Sequence, residues 1–246
     1  MASSSSGSTT ESSQSSFIVS LFSSSVATKI VIGITGLALF IYLITHIAGN
    51  LLIFLGPTAF NQYSHTLVSN PLIPVIEIGL LAIFLIHIYK AVRMFLGNQQ
   101  ARPVAYVQKK SAGARSRKSL ASTTMIVSGL WLLIFVIIHV KQFKYGADYV
   151  ESGSGYRDLY RLEMENFSNP LLVVFYVLSM FIVGSHLWHG VASAFQSLGA
   201  SDSSDVGEEG TWTALVLKGG KVAAVLIAGA FIVIAIWAHV IGRHQS

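Results

Sequence analysis

Residues 30–54 read IVIGITGLALFIYLITHIAGNLLIF, 25 consecutive positions without one charged side chain. A bilayer core of about 30 Å needs roughly 20 apolar residues in helical form, so this run is long enough to span it. Inside it lies a single ionisable group, His46. Four runs of the same kind follow, at about 72–96, 120–140, 170–196 and 214–241. Pro71 and Pro74 open the second, which one acid, Glu77, interrupts; Pro170 opens the fourth; Lys218 and Lys221 lie near the start of the fifth. The expected fold class is therefore all-α, an integral membrane bundle of five transmembrane helices. It forms one domain over 29–246, behind a Ser-rich tail over 1–28.

Composition agrees. Only 11% of the 246 residues are charged, where soluble domains carry about 25%. A soluble core of this size has no means of hiding so much apolar surface. Cysteine is absent, which excludes disulfides, thiolate metal sites and cysteine-held iron–sulfur clusters within the chain. The net charge of +5 does not point to nucleic acid, because the basic residues cluster beside apolar spans as membrane topology requires. Residues 1–16 hold nine Ser, have nothing to pack and lack the pattern of a secretory signal.

The loops give an orientation. Arg102, Lys109, Lys110, Arg115, Arg117 and Lys118 lie between spans two and three with no acid among them, and Lys90 and Arg93 close span two on the same side. By the positive-inside rule that side is cytoplasmic. The 56–70 loop has no Lys or Arg, and the 141–165 loop has four basic and five acidic residues. Both belong outside, the second with room for a short surface helix around 156–164. The N-terminus is then inside and the C-terminus outside.

Four of the five spans carry a histidine: His46, His87, His139 and His186. Ionisable groups inside a membrane are costly and point to function. One alone is as readily a packing residue; four, one per helix, are much less so. His46 lies 17 residues after Lys29 and His139 21 residues after Lys118, ~25 and ~31 Å from the inner boundary by helical rise. His87 and His186 each lie 16 residues after the proline that opens an inward-running helix. The four thus sort into an outer pair, His46 with His139, and an inner pair, His87 with His186. Two facing imidazoles fill both axial positions of a haem iron, and a haem with no open position carries electrons. Two haem b groups stacked across the membrane are the expected cofactors. The chain also repeats weakly: GLALFIYLITH (36–46) and GLWLLIFVIIH (129–139) place Gly-Leu ten residues before a histidine. Such a glycine suits close approach of a cofactor or equally ordinary helix packing.

These residues resemble the single-chain, five-helix, di-haem cytochrome b558 membrane anchor of succinate dehydrogenase or fumarate reductase. The similarity runs from about residue 29 to 199. It is carried by TGLALFIYLITHIAGNLLIF (35–54), AFNQYSH (59–65), EIGLLAIFLIHIYKA (77–91), NQQARPVAY (98–106), SGLWLLIFVIIHV (128–140) and HLWHGVASAFQSLG (186–199). No single piece is decisive; the specificity lies in their order and spacing together. The fifth helix and the tail add nothing to it. The resemblance implies that His46, His87, His139 and His186 are the haem ligands, paired first with third and second with fourth. It prefers His186 over His189 in HLWHG, leaving His189, with Arg93, as contacts for haem propionates. Helix packing for His189 and headgroup snorkelling for Arg93 are competing roles. The resemblance further implies a flavoprotein subunit, an iron–sulfur subunit docked on the inner face against the basic 102–118 loop, and a membrane quinone, with menaquinone the expected one. The chain itself would not oxidise succinate. The setting would be a bacterial cytoplasmic membrane, with a higher oligomer of the complex open.

Glu77, ten residues before His87, is placed to exchange protons with a quinol beside the outer haem. A capping carboxylate at the positive end of the helix is the competing role. Two rivals stand against the whole reading. Another quinone-reactive haem b subunit is one, although the cytochrome b pattern of two histidines on each of two helices is not met. A histidine-based transporter is the other, although it would favour acids and histidines at a single depth. Direction of turnover and quinone type are not legible.

Overall fold

The computed structural model describes residues 24–100, 120–199 and 212–245. The basic 102–118 loop and most of the 1–28 tail lie outside the described residues. The described chain forms seven α-helices: α1 (Ser25–Asn50), α2 (Pro57–Val68), α3 (Ile73–Gln100), α4 (Leu120–Phe143), α5 (Leu159–Ser168), α6 (Pro170–Ser197) and α7 (Trp212–Gln245). A 3-10 turn, Leu51–Leu55, follows α1. Five of these helices, α1, α3, α4, α6 and α7, are long and apolar enough to cross a membrane. The architecture is an all-α, five-span membrane bundle.

Helix ends follow from local chemistry. The Ser24 hydroxyl accepts from the Ala27 amide at 3.1 Å, an N-cap that starts α1 four residues before the expected end of the tail. Gly56 takes φ +94°, a left-handed turn that side-chain-bearing residues avoid. With Pro57 at the first turn it restarts the chain as α2, where the sequence suggested only a loop. Asp158 caps α5, which begins three residues later than the expected surface helix. Asn169 and Pro170 together open α6.

Helix α1 packs on α3 and on α6, and α4 packs on α6 while touching α3 only lightly. The ring order is therefore α1, α3, α4, α6, with α1 facing α4 and α3 facing α6 across the diagonals. Helix α7 lies outside this ring, laid along α6 and against α5. Its inward face carries the small residues Ala224, Ala228, Ala235 and Ala238, with Ile227 and Ile234 buried among them. Small side chains let membrane helices approach closely, where dispersion rather than water drives association. Helix α3 is the opposite case. No described residue on it is buried, and Leu72, Val75, Ile78 and Leu81 turn outward, as lipid-facing residues do. Within the ring, Trp131 Nε1 donates to Ser179 Oγ at 3.0 Å, tying α4 to α6.

One end of the bundle, hereafter the capped end, is covered by α2, α5 and the 144–158 segment. Asn61 holds this cover. Its side chain is fully buried, its Nδ2 donates to Asp158 Oδ1 at 2.9 Å and its Oδ1 accepts from the Tyr160 amide at 3.0 Å. The Arg157 guanidinium gathers the carbonyls of Lys144, Gly146 and Ala147. His65 stacks on Tyr156 at 3.9 Å. Replacing Asn61 with Ala strands a buried backbone donor, at about 1–3 kcal/mol. The expected outcome is a melting temperature lower by several degrees and faster proteolysis within 144–158. A variant melting with the parent would show that the cover does not depend on Asn61.

Candidate functional site: two histidine layers

The four intramembrane histidines meet in pairs across the two diagonals. His46 and His139 ring centroids lie 5.9 Å apart at 86°, near the capped end. His87 and His186 come within electrostatic reach of one another, deeper in the bundle. His46 ends α1 and His139 ends α4, whereas His87 and His186 lie 14 and 16 residues into helices that start from the capped end. The two layers follow from that placement.

Each imidazole has a polar neighbour at Nδ1. His87 Nδ1 lies 3.0 Å from Thr35 Oγ1, and His186 Nδ1 lies 2.9 Å from Ser128 Oγ. Thr35 spends its one hydroxyl hydrogen on the Val31 carbonyl at 2.7 Å, and Ser128 spends its own on the Met125 carbonyl at 3.0 Å. Each hydroxyl oxygen is then left to accept, which suits an imidazole donating from Nδ1–H. In that tautomer Nε2 carries the lone pair, the form in which imidazole binds a metal. Around the other pair the fit is looser. Tyr176 donates its phenolic hydrogen to Gln142 Oε1 at 2.6 Å and lies 3.4 Å from His139 Nδ1. Asn50 Nδ2 lies 3.5 Å from His46 Nδ1 and 2.8 Å from the His46 carbonyl, so the carbonyl is its real partner.

Glycine lies where the deeper rings rest. A Cβ on Gly36 would meet His87 Cε1 at 3.2 Å, and one on Gly129 would meet His186 Cε1 at 3.7 Å. The Gly-Leu repeat therefore serves the deeper pair, one layer away from the histidine that follows it in sequence. The residue before each glycine, Thr35 or Ser128, is the hydroxyl partner of the same ring. Sequence reasoning missed both, although TGL and SGL stand at equal distance before a histidine. Aromatic rings surround the other pair: Tyr42 stacks on His46 at 5.4 Å, Phe135 on His139 at 5.6 Å, and Phe143 lies 5.3 Å from His139. Phe231 of α7 lies 5.6 Å from His46, so the fifth span contributes to this layer.

The donor set fits a haem. It offers two imidazoles per layer, with ring centroids 5.9 Å apart for His46 and His139, a hydroxyl at Nδ1 of each deeper ring and glycine in place of a side chain against those two rings. No cluster of three or more His, Asp or Glu that could hold a lone metal ion occurs among the described residues; a bis-histidine haem requires only two.

The remaining sequence candidates are placed as follows. Glu77 forms an ion pair with Lys144 at the capped end, both about half exposed, where the light α3–α4 contact needs a tie. It also lies within electrostatic reach of Tyr42. His189 is within reach of His186 and of Lys221. Arg93 is exposed, with its guanidinium carbon 5.9 Å from the centre of the Tyr89 ring. His239 Nδ1 donates to the Phe167 carbonyl at 2.7 Å, a structural contact. A cavity of about 430 Å³ at the capped end is lined by Gln142, Tyr149, Glu165, Asn166 and Asn169 among others. Gln142 thus faces the cavity and holds the phenol beside His139.

Compared with known proteins, the chain matches no family model, no curated relative and no solved structure.

Glu163 of α5 is a buried acid at the capped end, which the sequence offered only as one acid in a loop. It is 6% exposed, and burial pushes its carboxyl up from 4.5 to about 8. Between those values the folded chain holds a proton that the unfolded chain has lost. Stability is then greatest below about 4.5 and falls as pH rises towards 8. Glu163→Gln is expected to flatten that decline and to melt above the parent at alkaline pH. Thermal melts across the interval check it; parallel pH profiles would overturn it.

Proposed function

We propose that this chain is the di-haem cytochrome b membrane anchor of a succinate:quinone oxidoreductase. It would pass electrons between an iron–sulfur subunit and a membrane quinone, the flavoprotein subunit supplying the succinate or fumarate chemistry. The observation that carries the reading is the deeper histidine layer: two imidazoles from diagonal helices, each with Nδ1 within 3.0 Å of a hydroxyl oxygen. A packing histidine has no need of that arrangement twice. The order of motifs along the sequence supports the particular enzyme.

Two b-type haems held in these layers would supply one-electron transfer. The chain's own residues do the rest. His46 and His139 would ligate in one layer, His87 and His186 in the other. Thr35 and Ser128 orient the deeper rings; Phe135, Phe143 and Phe231 keep water from the other pair. At the capped end Gln142 and Tyr176 form a short polar path from the cavity to His139, which supports a quinone head group bound on that side. Glu77 stands at the same end, ion-paired to Lys144. By the positive-inside rule the side of the basic 102–118 loop would be cytoplasmic, in a bacterial inner membrane. This supports an iron–sulfur subunit docked on the side of the deeper layer.

The full chain purified in detergent is expected to carry two b-type haems with separate midpoints in a redox-titrated optical spectrum. His46→Ala removes one component and His87→Ala the other. A chain without haem would overturn the reading and favour a histidine-based transporter; a chain with one would break the two-layer assignment. Gln142→Leu is expected to lower quinone reduction several-fold at unchanged haem content. Full turnover in that variant would move the quinone away from the cavity.

A further inference from the structure

The two tight hydroxyl contacts belong to one design. Thr35-Gly36-Leu37 precedes His46, and Ser128-Gly129-Leu130 precedes His139, each hydroxyl residue standing 11 positions before its histidine. Eleven residues turn an α-helix through about three full turns, so hydroxyl, glycine and histidine share one side of α1, and likewise of α4. Each of these helices therefore presents a ligand to its own layer and a hydroxyl-and-glycine seat to the ring that α3 or α6 sends into the next. Thr35 is itself buried, and its only hydrogen is already committed to Val31 and Ile32. It has nothing left to offer His87 except an acceptor.

We propose that Thr35 and Ser128 are matched positioning residues that lock His87 and His186 in the Nδ1–H tautomer, setting the electronic character of the deeper haem site alone. This rests on the di-haem reading and deepens it. An Nδ1–H that donates to an oxygen makes Nε2 a stronger electron donor and favours the oxidised metal. The other pair lacks an equivalent, since Tyr176 lies 3.4 Å from His139 and Asn50 Nδ2 3.5 Å from His46. Removing either seat should therefore move one haem component and leave its neighbour as an internal control of folding.

The test uses the full chain with haem bound, comparing Thr35→Val and Ser128→Ala with the conservative exchanges Thr35→Ser and Ser128→Thr. Redox-titrated optical spectra and low-temperature electron paramagnetic resonance are the readouts. The expected result is an upward shift in midpoint and a changed low-spin signal confined to the component that His87→Ala removes. The conservative exchanges should restore both. Loss of that component alone, with restoration by the exchanges, is also support. If Thr35→Val loses both components, Ser128→Ala, a deletion of one oxygen, decides. Two retained components with unmoved midpoints and signals would overturn the proposal while leaving the di-haem reading standing. A shift in both components equally would overturn it as well, because the hydroxyls would then act on the whole bundle. A parent chain without haem ends the di-haem reading and this proposal together.

Discussion

An imidazole carried into the hydrocarbon layer brings two ring nitrogens, and each must find a partner or carry a free-energy cost that water would have relieved. Much of the bundle's interior answers that requirement. For the deeper pair the answer at Nδ1 is a hydroxyl whose hydrogen is tied back to its own helix, a compact solution that places no further polar group in the core. For the pair near the capped end the polar neighbours stand farther off, Tyr176 at 3.4 Å from His139 Nδ1 and Asn50 at 3.5 Å from His46 Nδ1. The two layers therefore differ in what meets Nδ1 and how closely, though each consists of two histidines.

Ring order converts this chemistry into architecture. With α1 opposite α4 and α3 opposite α6, each pair spans a diagonal, and the helices flanking a pair belong to the other pair. The centre of a four-helix arrangement is where bundles hold cofactors between facing side chains. Helix α7 stands outside that logic. Its alanine face fixes it to α6, and it contributes one ring, Phe231, against His46. The capped end is a small structure set on a hydrophobic bundle, held by the polar contacts of Asn61, Asp158 and Arg157 and by burial of Phe60, Leu162, Met164 and Phe167.

Much of this was legible in the sequence. The five spans follow from runs of apolar residues, and the two depths follow from counting residues back to charges and prolines. The pairing needed only those depths. What was not legible depends on distance along the chain. Asn61 meets Asp158 and Tyr160 across nearly a hundred residues, and no local pattern announces such a contact. Glu77 was read by its depth, but its partner Lys144 arrives from the end of another helix. Thr35 and Ser128 sat in plain view before the repeated Gly-Leu. Their meaning was hidden because each serves a histidine from a different span, while the eye links them to the one that follows.

That crossed service has a consequence for how the chain tolerates change. In α1 the segment from Thr35 to His46 is a ruler whose two ends engage different layers. Adding or removing one residue between them would turn one end by about 100° relative to the other. The helix would remain as long and as apolar as before, and no test of hydrophobicity would register the alteration. Yet it could satisfy only one layer at a time, and the same holds between Ser128 and His139. Length within these two segments is therefore more tightly constrained than composition. Divergence should accumulate there as exchange of one apolar residue for another, and insertions should collect in the connections between helices.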